Sequence, residues 1–306
     1  GVAVPIATLS NIVSNIDSER ISIETNNQTI IIKTDNYQAK IQGMHEEEFP
    51  IIPTIEEQKH HTQTQTLTLT EAISAIINAA QISEIRPELS GILFDFQNST
   101  LKLAATDSFR LAEKTIANTL FKTTHQKTFR SIIPLKTCLE IGRMFKNNET
   151  IFIYTDPSQI LFKTQNTELI SRLIDGNYPD YEQIIPKNTE TEIILDREQF
   201  INALKLVGSI TGKINDVKIN TKSGDKTMEI QALNQYVGEN SYLIPAKIKG
   251  KGFSGIGFNW RYLIDGLKAI NSKNILFQAT SDAKPALIKS TEDETYFYIL
   301  MPIKAS

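Results

Sequence analysis

The sequence predicts an α+β protein of repeated domains, each with two helices packed on one face of an antiparallel sheet. Three observations carry this. The same helical opening recurs three times, at Val4, Ile133 and Phe258. Each recurrence is followed by three short runs rich in isoleucine, phenylalanine and tyrosine, the composition of strands. Each group then stops on a proline-marked segment, at 49–53, 178–186 or 300–303. The openings lie 129 residues apart (4 to 133) and 125 apart (133 to 258), a spacing for whole domains and too long for a solenoid.

In chain order, residues 4–13 read as a helix with Pro5 at its start, where a fixed φ suits the first turn. Strands are expected at 21–24, 29–33 and 37–42. Leu67-Thr68-Leu69-Thr70 alternates as a strand does and leads into a helix expected over 71–81. Leu101, Leu103 and Ala105 alternate with Lys102 and Ala104, Thr106-Asp107-Ser108 has turn chemistry, and Phe109-Arg110-Leu111 resumes the extended pattern. A hairpin corner is therefore expected at 106–108. Pro134 opens the next helix, followed by strands at 150–154, 159–163 and 168–173. Residues 193–196 read as a strand ending on Asp196, a fitting N-cap for a helix over 197–210. A turn and strand at 250–257 precede the last helix, and strands at 274–278, 286–289 and 296–301 close the pattern.

Two complete repeats follow from this, at 64–186 and 187–306, and 1–58 reads as the latter half of a repeat whose front half is absent. The strands of that half are expected to show an unpaired edge and an uncovered face. Residues 55–64 and 186–192 are polar linkers.

The 306 residues are 40% hydrophobic and 22% charged, an ordinary globular composition with room for two or three cores. One cysteine, Cys138, excludes an internal disulfide framework. No apolar run approaches the roughly 18 residues that span a bilayer, and 1–13 lacks a basic leader, so a reducing cytosol is expected and no membrane. A net charge of -3 argues against a protein that coats nucleic acid with its whole surface, but leaves room for a local basic stripe.

Such a stripe is legible. Counted from Pro134 and from Asn259, both later helices carry cations at plus two and plus nine: Lys136 and Arg143, then Arg261 and Lys268. Seven residues make two turns, so each pair shares a face, with Cys138 and Phe145, or Leu263 and Ile270, on the other side. A solvated helix face is the ordinary reading of one such pair. Recurrence at equal offsets points instead to a surface that tracks a phosphate backbone by charge. The first helix has Ala7 and Ser14 at these offsets and lacks the pair.

Catalysis has little to hold. His45, His60, His61 and His125 fall in loops without the partners of a metal site, so no metal and no cofactor are expected. No glycine-rich phosphate loop occurs, Glu46-Glu47-Glu48 reads as hydrated surface, and Cys138 lies on an apolar stripe as core.

Three motifs, Ala105-Thr106-Asp107-Ser108-Phe109-Arg110-Leu111-Ala112, Arg172-Leu173-Ile174-Asp175-Gly176-Asn177-Tyr178-Pro179-Asp180-Tyr181 and Tyr298-Ile299-Leu300-Met301-Pro302-Ile303, resemble the bacterial sliding clamp family, the beta subunit of DNA polymerase III. Gly257-Phe258-Asn259 and Tyr262-Leu263 fit the same resemblance, which runs the length of the chain in order. It implies a non-catalytic processivity factor: a head-to-tail homodimeric ring of DNA clamp domains around duplex DNA. Lys136, Arg143, Arg261 and Lys268 would then face the DNA, with Arg86 either joining them or serving structure.

The resemblance also implies a groove between the middle and last domains for short linear motifs of the DNA polymerase III alpha subunit, the clamp loader and repair proteins. Its walls would be Leu89, Thr106, Ser108, Phe109, Arg110 and Leu111, with Pro179 and Ile184 from the segment closing the middle domain. Pro285, Ile299, Leu300, Met301, Pro302 and Ile303 would supply the other side, strand packing being the alternative for each. Phe109 stands where the family often has histidine or tyrosine, which enlarges the apolar part of the groove and removes a donor. With a front half-domain absent, weak or open dimers are expected. A truncated scaffold that binds peptides without encircling DNA is the alternative function.

Overall fold

The computed structural model describes every residue except Glu57, Ser223, Asp225, Ala305 and Ser306. Its contacts divide the chain into two units, Gly1–Thr54 and Ile55–Ser306. In the first, β1 (Val2–Ala3) and helix α1 (Ile6–Asn15) precede the meander β2 (Ser22–Asn26), β3 (Thr29–Lys33) and β4 (Gln38–Gln42), and β5 (Met44–His45) returns to pair with β1. Its small core is Ile30, Ile32 and Ile41, with Leu9 and Ile12 of α1 packed against it. Every residue of β2 is exposed, and Ile23 with it, so this edge of the meander stands uncovered within the unit.

The second unit starts with β6 (Thr62–Gln65), α2 (Thr66–Ile76), β7 (Gly91–Phe96), β8 (Thr100–Thr106), β9 (Arg110–Ala117), β10 (Phe121–Thr123) and β11 (Phe129–Pro134). Next come α3 (Leu135–Met144), β12 (Thr150–Thr155), β13 (Gln159–Lys163), β14 (Glu168–Arg172), β15 (Thr191–Asp196) and α4 (Arg197–Gly208). The chain ends with β16 (Asp216–Lys222), β17 (Thr227–Asn234), β18 (Gly238–Gly250), β19 (Gly252–Asn259), α5 (Trp260–Lys268), β20 (Asn274–Ala279), β21 (Ala286–Ser290) and β22 (Tyr296–Leu300).

One expectation is corrected here. The alternating Leu67-Thr68-Leu69-Thr70 is the first turn of α2, and the strand before it is Thr62–Gln65. The buried residues Leu69, Ala72, Ile73 and Ile76 recur at three and four, whereas Leu67 is exposed. Thr66 fixes the start: its hydroxyl donates to the Asn147 carbonyl (2.5 Å) and accepts from the Glu149 amide (3.1 Å). The expected cap holds: Asp196 accepts from the Gln199 amide at 2.9 Å. The structure adds a second, Asn259, which accepts from the amides of Arg261 and Tyr262 at the head of α5.

The two halves of this unit share a twelve-stranded sheet, in the order β11-β7-β8-β9-β22-β21-β20-β15-β18-β17-β16-β19, while β10-β6-β12-β13-β14 form a second sheet. The seam between them is the antiparallel pair β9 and β22, with Leu111 opposite Ile299 and Arg110 opposite Leu300. Alternation along β8 sends Leu101, Leu103 and Ala105 to the main core and Ala104 to a smaller cluster with Leu93, Leu111, Ile132, Tyr181, Leu287 and Ile299. Helix α2 touches both α3 and α5, and α5 touches α4, so four helices make one continuous row. Gly266 lets α5 approach β22, because a Cβ there would lie 2.5 Å from Tyr298 Cδ1.

Candidate functional site

The corner between β8 and β9 is built by its own side chains. Asp107 accepts through one oxygen from the amides of Phe109 and Arg110, both at 3.0 Å, and Thr106 donates to the Arg110 carbonyl at 2.6 Å. Ser108 takes a left-handed φ of 76°, which costs any residue but glycine free energy. The outcome is that Phe109 points outward, 62% exposed. Met301, 37% exposed, lies beside it in sequence register, its amide donating to the Phe109 carbonyl at 2.8 Å. The two form an apolar ledge on the seam between β9 and β22.

Arg110 lies under this ledge. Its Nε donates to Asp107 (2.8 Å), a terminal nitrogen donates to Asp265 of α5 (2.6 Å), and the guanidinium covers the Tyr262 ring at 3.9 Å. Burial works against its charge, but Tyr298 and the two carboxylates outweigh it and push its pKa up. The buried Tyr298 hydroxyl is near Arg110, though outside hydrogen-bond geometry.

The expected groove residues thus separate into kinds. Thr106, Ser108, Phe109, Arg110 and Met301 come together at the corner, whereas Ile303 is tied to β19, its amide donating to the Gly257 carbonyl (2.8 Å). Leu89, Leu111, Ile299 and Leu300 are buried, so in this structure they are packing and not open wall. Thr106 is buried as well, and its hydroxyl is spent on the turn. Pro179 and Ile184 are exposed on the segment after β14, which Tyr181 ties to β9 through its hydroxyl to Glu113 (2.5 Å). Pro285 and Pro302 are half-buried beside β21 and β22. Arg86 donates to Ser108 Oγ at 3.1 Å, which puts it with the corner and not with the helical cations. Larger concave surfaces among the described residues lie elsewhere, such as one of about 630 Å³ along Arg130, Ile132, Arg172 and Asp175, and one of about 720 Å³ beside the start of α4.

Lys136, Arg143, Arg261 and Lys268 are all exposed, and Cys138, Phe145, Leu263 and Ile270 behind them are buried, as the offsets require. A carboxylate sits between the cations on each helix at the same place, Glu140 on α3 and Asp265 on α5. Arg143 pairs with Glu140 at 3.0 Å, and Arg110 reaches across to Asp265. Arg261 donates to Asn215 at 2.9 Å and stacks on Trp260. Among the described residues Lys136 and Lys268 form no ion pair within the 4.0 Å that defines one.

Sequence reasoning missed the partners of Arg110. Asp107 had a local signal, an Asx turn two residues before Phe109. Asp265 lies 155 residues from Arg110, and nothing local announces it.

Three histidines gather at 60–61 and 125. His60 contacts the Thr124 carbonyl through Nδ1 at 3.1 Å, and its ring centre is 5.9 Å from that of His125. Burial, then the neighbouring His60 and His61, pull the His125 pKa below its usual 6.5. The unfolded chain binds that proton more readily, so the stability held above pH 6.5 should be lost as pH falls below it. Replacing His125 by phenylalanine should flatten the pH dependence of the thermal midpoint in this range; an unchanged curve would show that the titration lies elsewhere.

The chain matches the central domain of the DNA polymerase III beta subunit over residues 63–180 and its C-terminal domain over 182–304. It is 31% identical over 300 residues to the beta sliding clamp of Bacillus subtilis, covering 96% of this chain and 78% of that one. The beta sliding clamp of Synechococcus elongatus is 27% identical over 308 residues, covering 99% and 81%. A crystal structure of the Bacillus subtilis DNA polymerase sliding clamp superposes with a TM-score of 0.91 at 30% identity, covering 99% of this chain and 80% of that one. The DNA polymerase III subunit beta of Pseudomonas aeruginosa has the same fold, with a TM-score of 0.90 at 23% identity and coverage of 99% and 81%.

Proposed function

The chain belongs to the family of the DNA polymerase III beta subunit, the beta sliding clamps, and from that premise we propose that it is a mobile, non-catalytic tether of a replicative polymerase. It is a DNA sliding clamp: a processivity factor that closes around duplex DNA as a homodimeric ring and carries partners along it. The observation that supports this reading best is the recurrence of exposed cations at equal helical positions on α3 and α5, in one row of helices. Charge contacts to phosphate are exchanged easily and carry no base information, so they permit sliding. The proposed repeats are 64–186 and 187–306, with 1–58 as part of a first. Acting on the chromosome places it in the cytoplasm, at the nucleoid.

The partners are proposed to be double-stranded DNA, the polymerase alpha subunit, the clamp loader and other proteins with short apolar motifs. These would dock on the Phe109 and Met301 ledge, with Ile184 and Pro179 as the neighbouring wall. Aliphatic and methionine surface suits leucine or phenylalanine anchors from several partners.

The test is topological. After loading onto a nicked plasmid, the protein should survive a wash at about 0.5 M salt, where surface charge contacts are screened, and leave once the plasmid is cut. Loss from intact circles as fast as from linear DNA would overturn encirclement and leave a peptide scaffold.

A further inference from the structure

Resting on the reading of the corner as a docking ledge, we infer that Asp265 is a positioning residue for that ledge, acting through Arg110. An arginine beside an exposed phenylalanine invites the idea that it reads ligand charge. Its surroundings say otherwise: the Arg110 side chain is 11% exposed, with Nε on Asp107, a terminal nitrogen on Asp265 and its face on Tyr262. A planar fork held by two carboxylates and a ring has little left to offer outward.

What the network does is hold a strained corner. Ser108 is left-handed, and Asp107 accepts from the successive amides of Phe109 and Arg110. The Asp107 side chain is 1% exposed, and Arg110 is its ion-pair partner. Loosening the cation of a buried carboxylate leaves its charge poorly compensated, which destabilises the turn that the carboxylate bonds. Asp265 fixes the far end of that cation, and Met301 is tied to the same peptide through the Phe109 carbonyl. The chain of dependence runs Asp265, Arg110, Asp107, Phe109, Met301. Asp265 also lies between Arg261 and Lys268 on the side of α5 that carries those cations. One helix thus bears both the anchor of the ledge and half of the basic surface.

The ledge should then recognise apolar side chains with little salt dependence, and should loosen when Asp265 is neutralised. Two measurements on the full chain test this: hydrogen exchange at the amides of Phe109, Arg110 and Met301, and binding of a fluorescein-labelled eight-residue peptide ending in Leu-Phe. For Asp265→Asn, exchange at those three amides should quicken by about tenfold while the amides of β12 and β13 stay protected. Peptide affinity should fall by about tenfold, with Asp265→Glu recovering part of both. Wild-type affinity should change less than about twofold between ~0.05 and ~0.5 M salt. Unchanged exchange and affinity in Asp265→Asn overturn the inference, as does a steep salt dependence in the wild type. If the wild type fails to bind the peptide while exchange still quickens, the ledge reading falls and the positioning role stands.

Discussion

Met301→Asp should lose binding of a Leu-Phe peptide by about 30-fold or more, the range of a docking hot spot, while its thermal midpoint stays close to wild type. The residue is 37% exposed, so a carboxylate there can reach water, and the hydrogen bond from the Met301 amide to the Phe109 carbonyl does not depend on the side chain. Leu111 is the instructive contrast. On motif alone it belongs to the same groove, yet it is fully buried between Leu93, Ile132, Leu287 and Ile299. A carboxylate at that position is an unpaired buried charge on the seam of the sheet, and Leu111→Asp should cost about 4 kcal/mol or more. That is a large part of a domain's stability. Both variants fail to bind peptide, for different reasons, and thermal denaturation beside fluorescence anisotropy separates them. Met301→Asp binding as wild type would remove the ledge from the docking surface.

That contrast also marks how far the sequence could be read. Short strands bounded by turn residues were legible because alternation and β-branched composition are local; 29–33 and 159–163 coincide with β3 and β13. The Asp196 cap and the basic helix faces were legible for the same reason, since a helix repeats every few residues. Leu67 to Thr70 misled because a four-residue alternation fits either period, and the arbiter was the non-local bonding of Thr66 to Asn147 and Glu149. Burial of Leu111 and Ile299 was out of reach, as it follows from β9 meeting β22 across nearly two hundred residues. The Arg110 to Asp265 pair is hidden likewise. A motif can show which residues gather at a place, but which of them face outward is decided by the pairing of distant strands.

Replacing Lys136, Arg143, Arg261 and Lys268 together by glutamine should weaken association with duplex DNA of any sequence and flatten its salt dependence. Each phosphate contact contributes about 0.9 to the slope of log affinity against log salt, so four independent cations would predict a loss of about 3.6. The structure lowers that figure, because the Arg143 charge is shared with Glu140, and the change in slope should lie near 3. It also ranks the helices. On α5 the carboxylate Asp265 is answered by Arg110 from β9, leaving Arg261 and Lys268 both available, whereas α3 answers Glu140 with one of its own two cations. The α5 pair changed alone should therefore remove more of the slope than the α3 pair. Glu140→Gln should act in the opposite sense, freeing Arg143 and raising both affinity and slope. Equal effects of the two pairs, or no response to Glu140→Gln, would mean that these faces do not meet the phosphates as arranged. Sequence-dependent losses would be a sharper contradiction, since exposed cations on a helix surface, without side chains entering a groove, have no means of telling one base pair from another.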